Sequence, residues 1–278
     1  VEANWTVMVF TPAMVLARQG IVRQGYSMKV FKALWIPTLV LVAVVRVYMM
    51  WDFLPGVRIR PEIHHNREWT AVVKEQAAGR PVVFLNSYQK PSKYMFYQGE
   101  SAYSLNTIKN RRSQYNFWPM EEGLWGKNVW LSTDNGDYFP ESQGIKTSQG
   151  TFFGREIQDY HSYSLLQLVP AQREFHRTAD QRGHGVKYRF AVKNYYDQKD
   201  IPVVADGPRL RYLVSAEGMP PVVWDTDLYL KDLLGKDSVD VEIPGSKMPG
   251  QYKIKLGLDV VEGHDPTHNS PVFKIVDF

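Results

Sequence analysis

Residues 81–99 read PVVFLNSYQKPSKYMFYQG, and the predicted fold depends on this stretch. It begins with Pro81 to Leu85, a continuously apolar run of the kind that forms a strand buried on both faces of a parallel sheet. Pro91 and Gly99 then favour the beginning and the end of a short helix. A buried strand followed by a helix indicates an α/β unit.

The residues on either side extend this unit. Before it, Asn66 is suited to cap a helix in NREWTAVVKEQAAG, where apolar residues recur at helical spacing until Gly79. After it, the segments SAYSL and KNVWLST have the composition of two further strands. The sequence therefore predicts a small α/β sandwich unit over residues 52–145.

Helical periodicity nearly disappears after DNGD at Asp134–Asp137, which is a hairpin signal. Apolar residues alternate with polar ones instead, as in VKYRFAVK from Val186 and QYKIKLGL from Gln251. Several such segments separated by Gly and Pro turns predict a C-terminal antiparallel β-sandwich of the immunoglobulin-like type over residues 146–278. Its expected role is structural or partner-binding.

Two apolar runs occupy residues 1–51. The first is Trp5–Ala17, and the second is ALWIPTLVLVAVVRVYMM at Ala33–Met50, interrupted only by Arg46. The second run is near the lower length limit for crossing a bilayer, so the sequence predicts a pair of transmembrane helices in contact with the lipid bilayer. A buried core helix is the alternative for the second run, and an interfacial segment is one alternative for the first.

The connection between the two runs carries four cations, which by the positive-inside tendency places it in the cytoplasm: Arg18, Arg23, Lys29 and Lys32. The body after residue 51 would then lie in the periplasm of a bacterium, anchored in the inner membrane. The predicted fold class is accordingly membrane helices followed by α+β.

The composition narrows the functional classes. The net charge of +4 over 278 residues comes without a block of Lys and Arg, so nucleic acid is not an expected partner. The absence of cysteine excludes disulfides, thiolate metal sites and a cysteine nucleophile. The sequence contains no phosphate-binding glycine loop, serine elbow or HExxH motif, and HDPTH at His264–His268 is more typical of a turn than of a zinc site. No catalytic residue, metal or cofactor is predicted.

Polar and aromatic residues are densest within the α/β unit. Asn86 to Gln89 follow the predicted buried strand, at the carboxyl end where open α/β sheets bind ligands. In RRSQYNFW, Arg111 and Arg112 are suited to hold a phosphate or carboxylate, and Tyr115, Trp118 and Trp125 to stack on a sugar. The alternative is that the aromatics pack the unit against its neighbours and the arginines are solvated.

Three segments together resemble the C-terminal part of bacterial family 39 glycosyltransferases of the Bacteroidetes type. They are EANW near the start of the chain, NSYQKPSKYMFYQGE, and RRSQYNFW, and the resemblance covers residues 1–133. This family includes the relatives of protein O-mannosyltransferases and of the aminoarabinose transferase of lipid A. Phe96 and Tyr97 also match. The substrate-binding positions that the resemblance implies are Glu2, Asn4, Trp5, Tyr88, Gln89, Arg111, Arg112, Gln114, Tyr115 and Trp118.

The resemblance implies an integral-membrane glycosyltransferase that moves a sugar from a polyprenyl-phosphate donor to an acceptor on the periplasmic face. In that family a carboxylate in the first outer loop acts as general base, and this loop is not in the sequence. We therefore expect a C-terminal fragment, inactive by itself, whose partner is an N-terminal membrane domain preceding Val1. The alternative hypothesis is a membrane-anchored periplasmic binding or scaffold protein without catalysis.

Overall fold

A computed structural model describes residues 7–24, 28–54, 56, 63–181, 183–196, 201–202, 207–245 and 249–277. The chain divides into two compact units, Val1–His64 and His65–Phe278. Among the described residues, the first contains two long helices, and the second contains all the strands.

The helices of the first unit are α1 (Val7–Gln24) and α2 (Met28–Met50). Within the described residues, no helix is both long and apolar enough to cross a membrane. The prediction of two transmembrane helices, and with it the predicted fold class, is therefore wrong. Charged residues explain the error: residues 33–45, between Lys32 and Arg46, make about 20 Å of helix, whereas a bilayer core is about 30 Å thick.

The second unit begins with an α/β layer. In chain order its elements are α3 (Asn66–Ala77), β1 (Val82–Leu85), α4 (Gln89–Gln98), β2 (Ala102–Leu105), β3 (Lys127–Thr133), β4 (Ile145–Thr147) and β5 (Gly150–Tyr160). The strands form one sheet in the order β2-β1-β3-β5-β4. β1 is parallel to both β2 and β3, and β5 is antiparallel to β3 and β4. The sheet thus continues past residue 145, where the sequence analysis divided the chain.

Strand β1 is buried on both faces, which accounts for its continuously apolar sequence. Val82 and Phe84 pack with Trp69 of α3, while Val83 and Leu85 pack with a separate cluster on the opposite face. Burying an apolar side chain of this size contributes about 1.5 to 3 kcal/mol. The central strand therefore holds the α/β layer together from both sides.

Two further sheets follow and share one core. Their elements are β6 (Leu166–Pro170), β7 (Glu174–Arg177), β8 (Val186–Asn194), β9 (Arg209–Ser215), β10 (Val222–Tyr229), α5 (Leu230–Leu233), β11 (Ser238–Ile243), β12 (Gly250–Leu258) and β13 (Phe273–Asp277). A five-stranded sheet has the order β10-β9-β12-β13-β7, and a three-stranded sheet has the order β11-β8-β6. Phe190 of β8 meets Phe273 of β13 across the core, with ring centroids 5.3 Å apart.

An antiparallel sandwich was predicted from the sequence, but one strand pair of the sandwich is parallel. β7 pairs with β13 in parallel, whereas the other described pairs of the two sheets are antiparallel. Parallel pairing needs a long connection between the two strands. The sequence separation of β7 and β13 provides one, because the chain passes through both sheets between them. Alternation within a single strand carries no information about which distant strand lies beside it.

Candidate functional site

Asn86 shapes the carboxyl edge of the α/β sheet. It follows β1 with a φ of 57°, in the left-handed region. Its Oδ1 accepts hydrogen bonds from the Thr107 backbone N (2.7 Å) and Oγ1 (3.1 Å), and its Nδ2 donates to the Tyr138 hydroxyl (3.2 Å). Because both ends of its amide are used within the protein, Asn86 ties the ends of β1 and β2 together and is not a free ligand group.

Tyr88 and Arg111 come together at this edge. Tyr88 lies immediately before α4, and the Arg111 guanidinium carbon lies 5.2 Å from the centroid of its ring. Such a cation–π contact contributes about 0.5 to 1 kcal/mol at an exposed site. Arg111 is exposed, and among the described residues it forms no ion pair that would neutralise it. Gln89, the neighbour of Tyr88, is exposed at the first position of α4.

Tyr115 is a packing residue and supports Trp118. It is buried, its ring meets those of Tyr103 (5.9 Å) and Trp118 (5.8 Å) edge-on, and its hydroxyl lies 3.2 Å from the Ser92 Oγ. Burial raises the pKa of Tyr115. Trp118 keeps 47% of its surface exposed, so it can offer a ring face to a ligand. Gln114 begins the short 3₁₀ turn that carries Tyr115 and is half-buried.

Arg112 connects the α/β layer to the sandwich. Its Nη2 donates to the Gln167 Oε1 and to the Ser270 carbonyl, both at 2.7 Å. The guanidinium carbon also lies 5.9 Å from the ring centroid of Phe117. These contacts fix the position of Arg112, in contrast to the exposed Arg111.

The two arginines line a small cleft together with residues of the sandwich. The cleft has a volume of about 170 Å³, and its cationic side chains are Arg111, Arg112 and Lys255. The other lining residues, none of them acidic, are Asn110, His268, Ser270, Pro271 and Val272. A concave surface with three cations and no carboxylate attracts anions, and arginine recognises phosphate and carboxylate through paired hydrogen bonds.

Burial and neighbouring charge tune the other two titratable groups of the cleft. Burial, and then Arg112, lowers the pKa of Lys255, whose Nζ donates to the Ile108 carbonyl at 2.8 Å. Burial, followed by Lys255 and Arg112, lowers the pKa of His268 to about 4. The His268 Nε2 lies 2.7 Å from the Asn110 carbonyl, which only accepts, so this nitrogen carries the proton of a neutral ring at pH 7.

Glu121 is a buried carboxyl group at the junction of the α/β layer and the sandwich. It lies in the 3₁₀ segment Pro119–Leu124 and is completely buried. Its carboxylate accepts from the Ser162 Oγ (2.5 Å), the Ser164 backbone N (2.8 Å), the Tyr103 hydroxyl (3.0 Å) and the Tyr196 hydroxyl. Burial raises the pKa of Glu121, and the hydroxyl donors oppose that shift. Since β2 provides Tyr103 and the segment after β8 provides Tyr196, Glu121 joins the sheet to the sandwich.

The remaining predicted positions do not add to the cleft. Glu2, Asn4 and Trp5 lie outside the described residues. His264 packs edge-on against Tyr138 and Phe139, away from the cleft that His268 lines. Among the residues that the structure describes, no group of three His, Cys, Asp or Glu side chains is placed to hold a metal ion.

No protein-family model matches this chain, and no curated protein sequence matches it either. The resemblance to family 39 glycosyltransferases therefore stays a prediction.

Proposed function

We propose that this chain binds the phosphate of a polyprenyl-phosphate-linked sugar and serves as a non-catalytic part of a glycosyltransferase that acts on the extracytoplasmic face. The observation that carries the proposal is the convergence of Arg111, Arg112 and Lys255 on one cleft that has no acidic lining residue. The resemblance suggests the donor, and the cleft supplies the charge that its phosphate requires.

The three cations have complementary roles in this proposal. Arg112 is held by its bonds to Gln167 and Ser270, so it forms a fixed positive wall. Arg111 is exposed and packs on the Tyr88 ring, so it can turn toward the ligand, at an entropic cost of up to about 2 kcal/mol. Lys255 adds a charge from β12, and its loss of solvation makes interaction with an anion more favourable.

Exposed aromatic residues that follow Arg112 closely in the sequence suit the rest of the donor. Phe117, beside Arg112, is 60% exposed, and Trp118 is 47% exposed. An aromatic face of this kind packs against a sugar ring or an isoprene unit. In this proposal the general base belongs to another part of the enzyme, and the cleft supplies positive charge for the donor phosphate.

The proposal is tested by titrating this chain with farnesyl phosphate and with farnesol, using calorimetry at low ionic strength. We expect the phosphate to bind at least about tenfold more tightly than the alcohol, because hydrogen bonds to charged groups contribute about 1.5 to 3 kcal/mol. This preference should shrink as salt is added. Equal binding of the two ligands would contradict the proposal.

A pair of matched variants locates the binding. Arg111→Gln should weaken farnesyl phosphate about three- to tenfold, at the lower end of charge-assisted bonds because Arg111 is exposed. Arg173→Gln removes an exposed arginine that does not line the cleft and should leave the affinity unchanged. If both variants weaken binding to the same degree, the attraction is a property of the net charge and not of the cleft.

A binding protein without catalysis is the second candidate. The observation that favours it is a separate, largely apolar cavity within the sandwich, which shares no residue with the cationic cleft.

A further inference from the structure

The sandwich contains a partly open cavity of about 360 Å³, lined mainly by the larger sheet and by the end of β11. Its floor comes from β9, β10 and β12, and one wall comes from Pro244 at the end of β11. Three strands are too few to cover five, so part of the inner face of the larger sheet is left for the cavity. The volume lies within the range of about 300 to 1,000 Å³ that is usual for small-molecule sites.

Arg177 lies at this cavity and is held rigidly. It is only 2% exposed, and its guanidinium donates to the Tyr188 hydroxyl (2.6 Å), the Ile243 carbonyl (2.7 Å) and the Pro244 carbonyl (3.1 Å). All three types of guanidinium nitrogen are therefore engaged by the protein. Arg177 cannot swing to meet another group without breaking these bonds.

Asp277 also lines the cavity and is only 4% exposed. Its Oδ1 lies 3.7 Å from the Arg177 Nε, close enough for attraction but too far for a hydrogen bond. Neither carboxylate oxygen has a hydrogen-bond partner among the described residues. A buried carboxylate without donors is costly, and buried charges in proteins are normally both paired and hydrogen-bonded.

We propose that this cavity binds a small uncharged molecule with an apolar body and a hydroxyl group that donates its hydrogen bond to the Asp277 carboxylate. Asp277 lines the cavity and its oxygens lack a hydrogen-bond donor, and a ligand hydroxyl would supply that donor. The proposal is independent of the cationic cleft, because the two sites have no lining residue in common.

The charge and the wall of the cavity define the ligand class. Arg177 and Asp277 cancel each other, so a neutral ligand avoids leaving an unbalanced charge in a buried site. Most of the wall is aliphatic or aromatic, and Trp224 reaches the cavity from β10 with 56% of its surface exposed. An apolar body gains free energy by covering such a surface, and a flat ring gains more by packing on Trp224.

The test uses two probes, 3-phenylpropan-1-ol and its methyl ether, in which a methyl group replaces the hydrogen-bond donor. We expect the wild-type chain to bind the alcohol at least about tenfold more tightly than the ether, as measured by ligand-detected NMR titration. In Asp277→Ala this preference should fall below about twofold, and in Asp277→Asn, which keeps the shape and an accepting oxygen, it should be intermediate. Because the wild-type comparison needs no variant, the proposal can be tested even if Asp277→Ala does not fold.

Two further variants place the ligand. Trp224→Ala should lower the affinity for the alcohol and for the ether by a similar factor, because it removes an apolar part of the cavity wall and no hydrogen bond to the ligand. Tyr195→Ala removes an exposed aromatic outside the cavity lining and should change neither affinity. The proposal is overturned if the wild-type chain binds both probes equally, or binds neither at millimolar concentration.

Discussion

Two buried carboxylates in the second unit have opposite surroundings. Glu121, at the junction of the α/β sheet and the sandwich, accepts hydrogen bonds from three hydroxyls and one backbone N–H. Asp277, at the cavity of the sandwich, has no hydrogen-bond partner among the described residues and an arginine nitrogen at 3.7 Å. Burial is nearly the same, since Glu121 is 0% and Asp277 is 4% exposed.

The difference separates a structural role from a binding role. A carboxylate whose acceptor sites are filled by the protein has little left to offer a ligand, and removing it leaves several donors unsatisfied. A carboxylate that faces a cavity without donors keeps its hydrogen-bonding capacity for something that enters. Burial alone therefore does not identify a functional carboxylate. The number of hydrogen-bond donors around the carboxylate is the distinguishing feature.

The largest expected effect is on the Glu121 side of this comparison. Glu121→Ala removes the acceptor shared by Tyr103, Ser162 and Tyr196, and we expect it to lower the free energy of unfolding by about 3 to 5 kcal/mol. Urea denaturation followed by circular dichroism measures this loss. Glu122→Ala is the matched control, because Glu122 is its half-buried neighbour in the same segment, and it should cost less than about 1 kcal/mol. If both variants lost the same free energy of unfolding, Glu121 would not be a link between the sheet and the sandwich.

The second effect is a pH dependence of stability that comes from His268, which lines the cationic cleft. The folded pKa of His268 is lowered from 6.5 to about 4, so as the pH falls the unfolded chain takes up a proton first. The free energy of unfolding should therefore decrease by about 3 kcal/mol as the pH falls from 6.5 to about 4. Denaturation curves at several pH values, compared between wild type and His268→Asn, isolate this contribution.

The control for this pH dependence is His176→Asn, since His176 has a half-exposed side chain on β7. This variant should keep the wild-type loss of stability between pH 6.5 and pH 4. If His268→Asn also keeps it, a group other than His268 is responsible.

The sequence predicted well those features whose causes are local. The helix at Asn66–Ala77 and the strand at Val82–Leu85 lie where the periodicity and the apolar run place them, because one-sided and two-sided burial leave different patterns. The membrane helices were predicted wrongly because the apolar content of α2 was weighed more heavily than the interruption at Arg46.

The candidate sites depended on contacts that the sequence does not display. Arg111 and Arg112 were predicted as an anion site from their neighbours in RRSQYNFW, but Lys255 and His268 of the same cleft come from the sandwich. The sequence around Glu121, an acidic pair after Pro119, is common at helix starts and does not indicate that this carboxylate is buried. Its donors Ser162, Ser164 and Tyr196 are distant in sequence, and only the fold shows that they surround it.

The smallest expected effect tests the Asp277 side of the comparison. Asp277→Asn removes a charge that has no hydrogen bond to lose, but it also leaves the buried Arg177 without its counter-charge at 3.7 Å, so the removal of an unsolvated carboxylate offsets only part of the cost. We expect the free energy of unfolding to fall by about 1 to 2 kcal/mol, less than the loss of about 3 to 5 kcal/mol expected for Glu121→Ala, because Arg177 keeps its three hydrogen bonds to the protein. The same urea denaturation measures both variants. If Asp277→Asn were as destabilising as Glu121→Ala, Asp277 would be a structural carboxylate like Glu121, and the cavity would lose the group that defines its ligand.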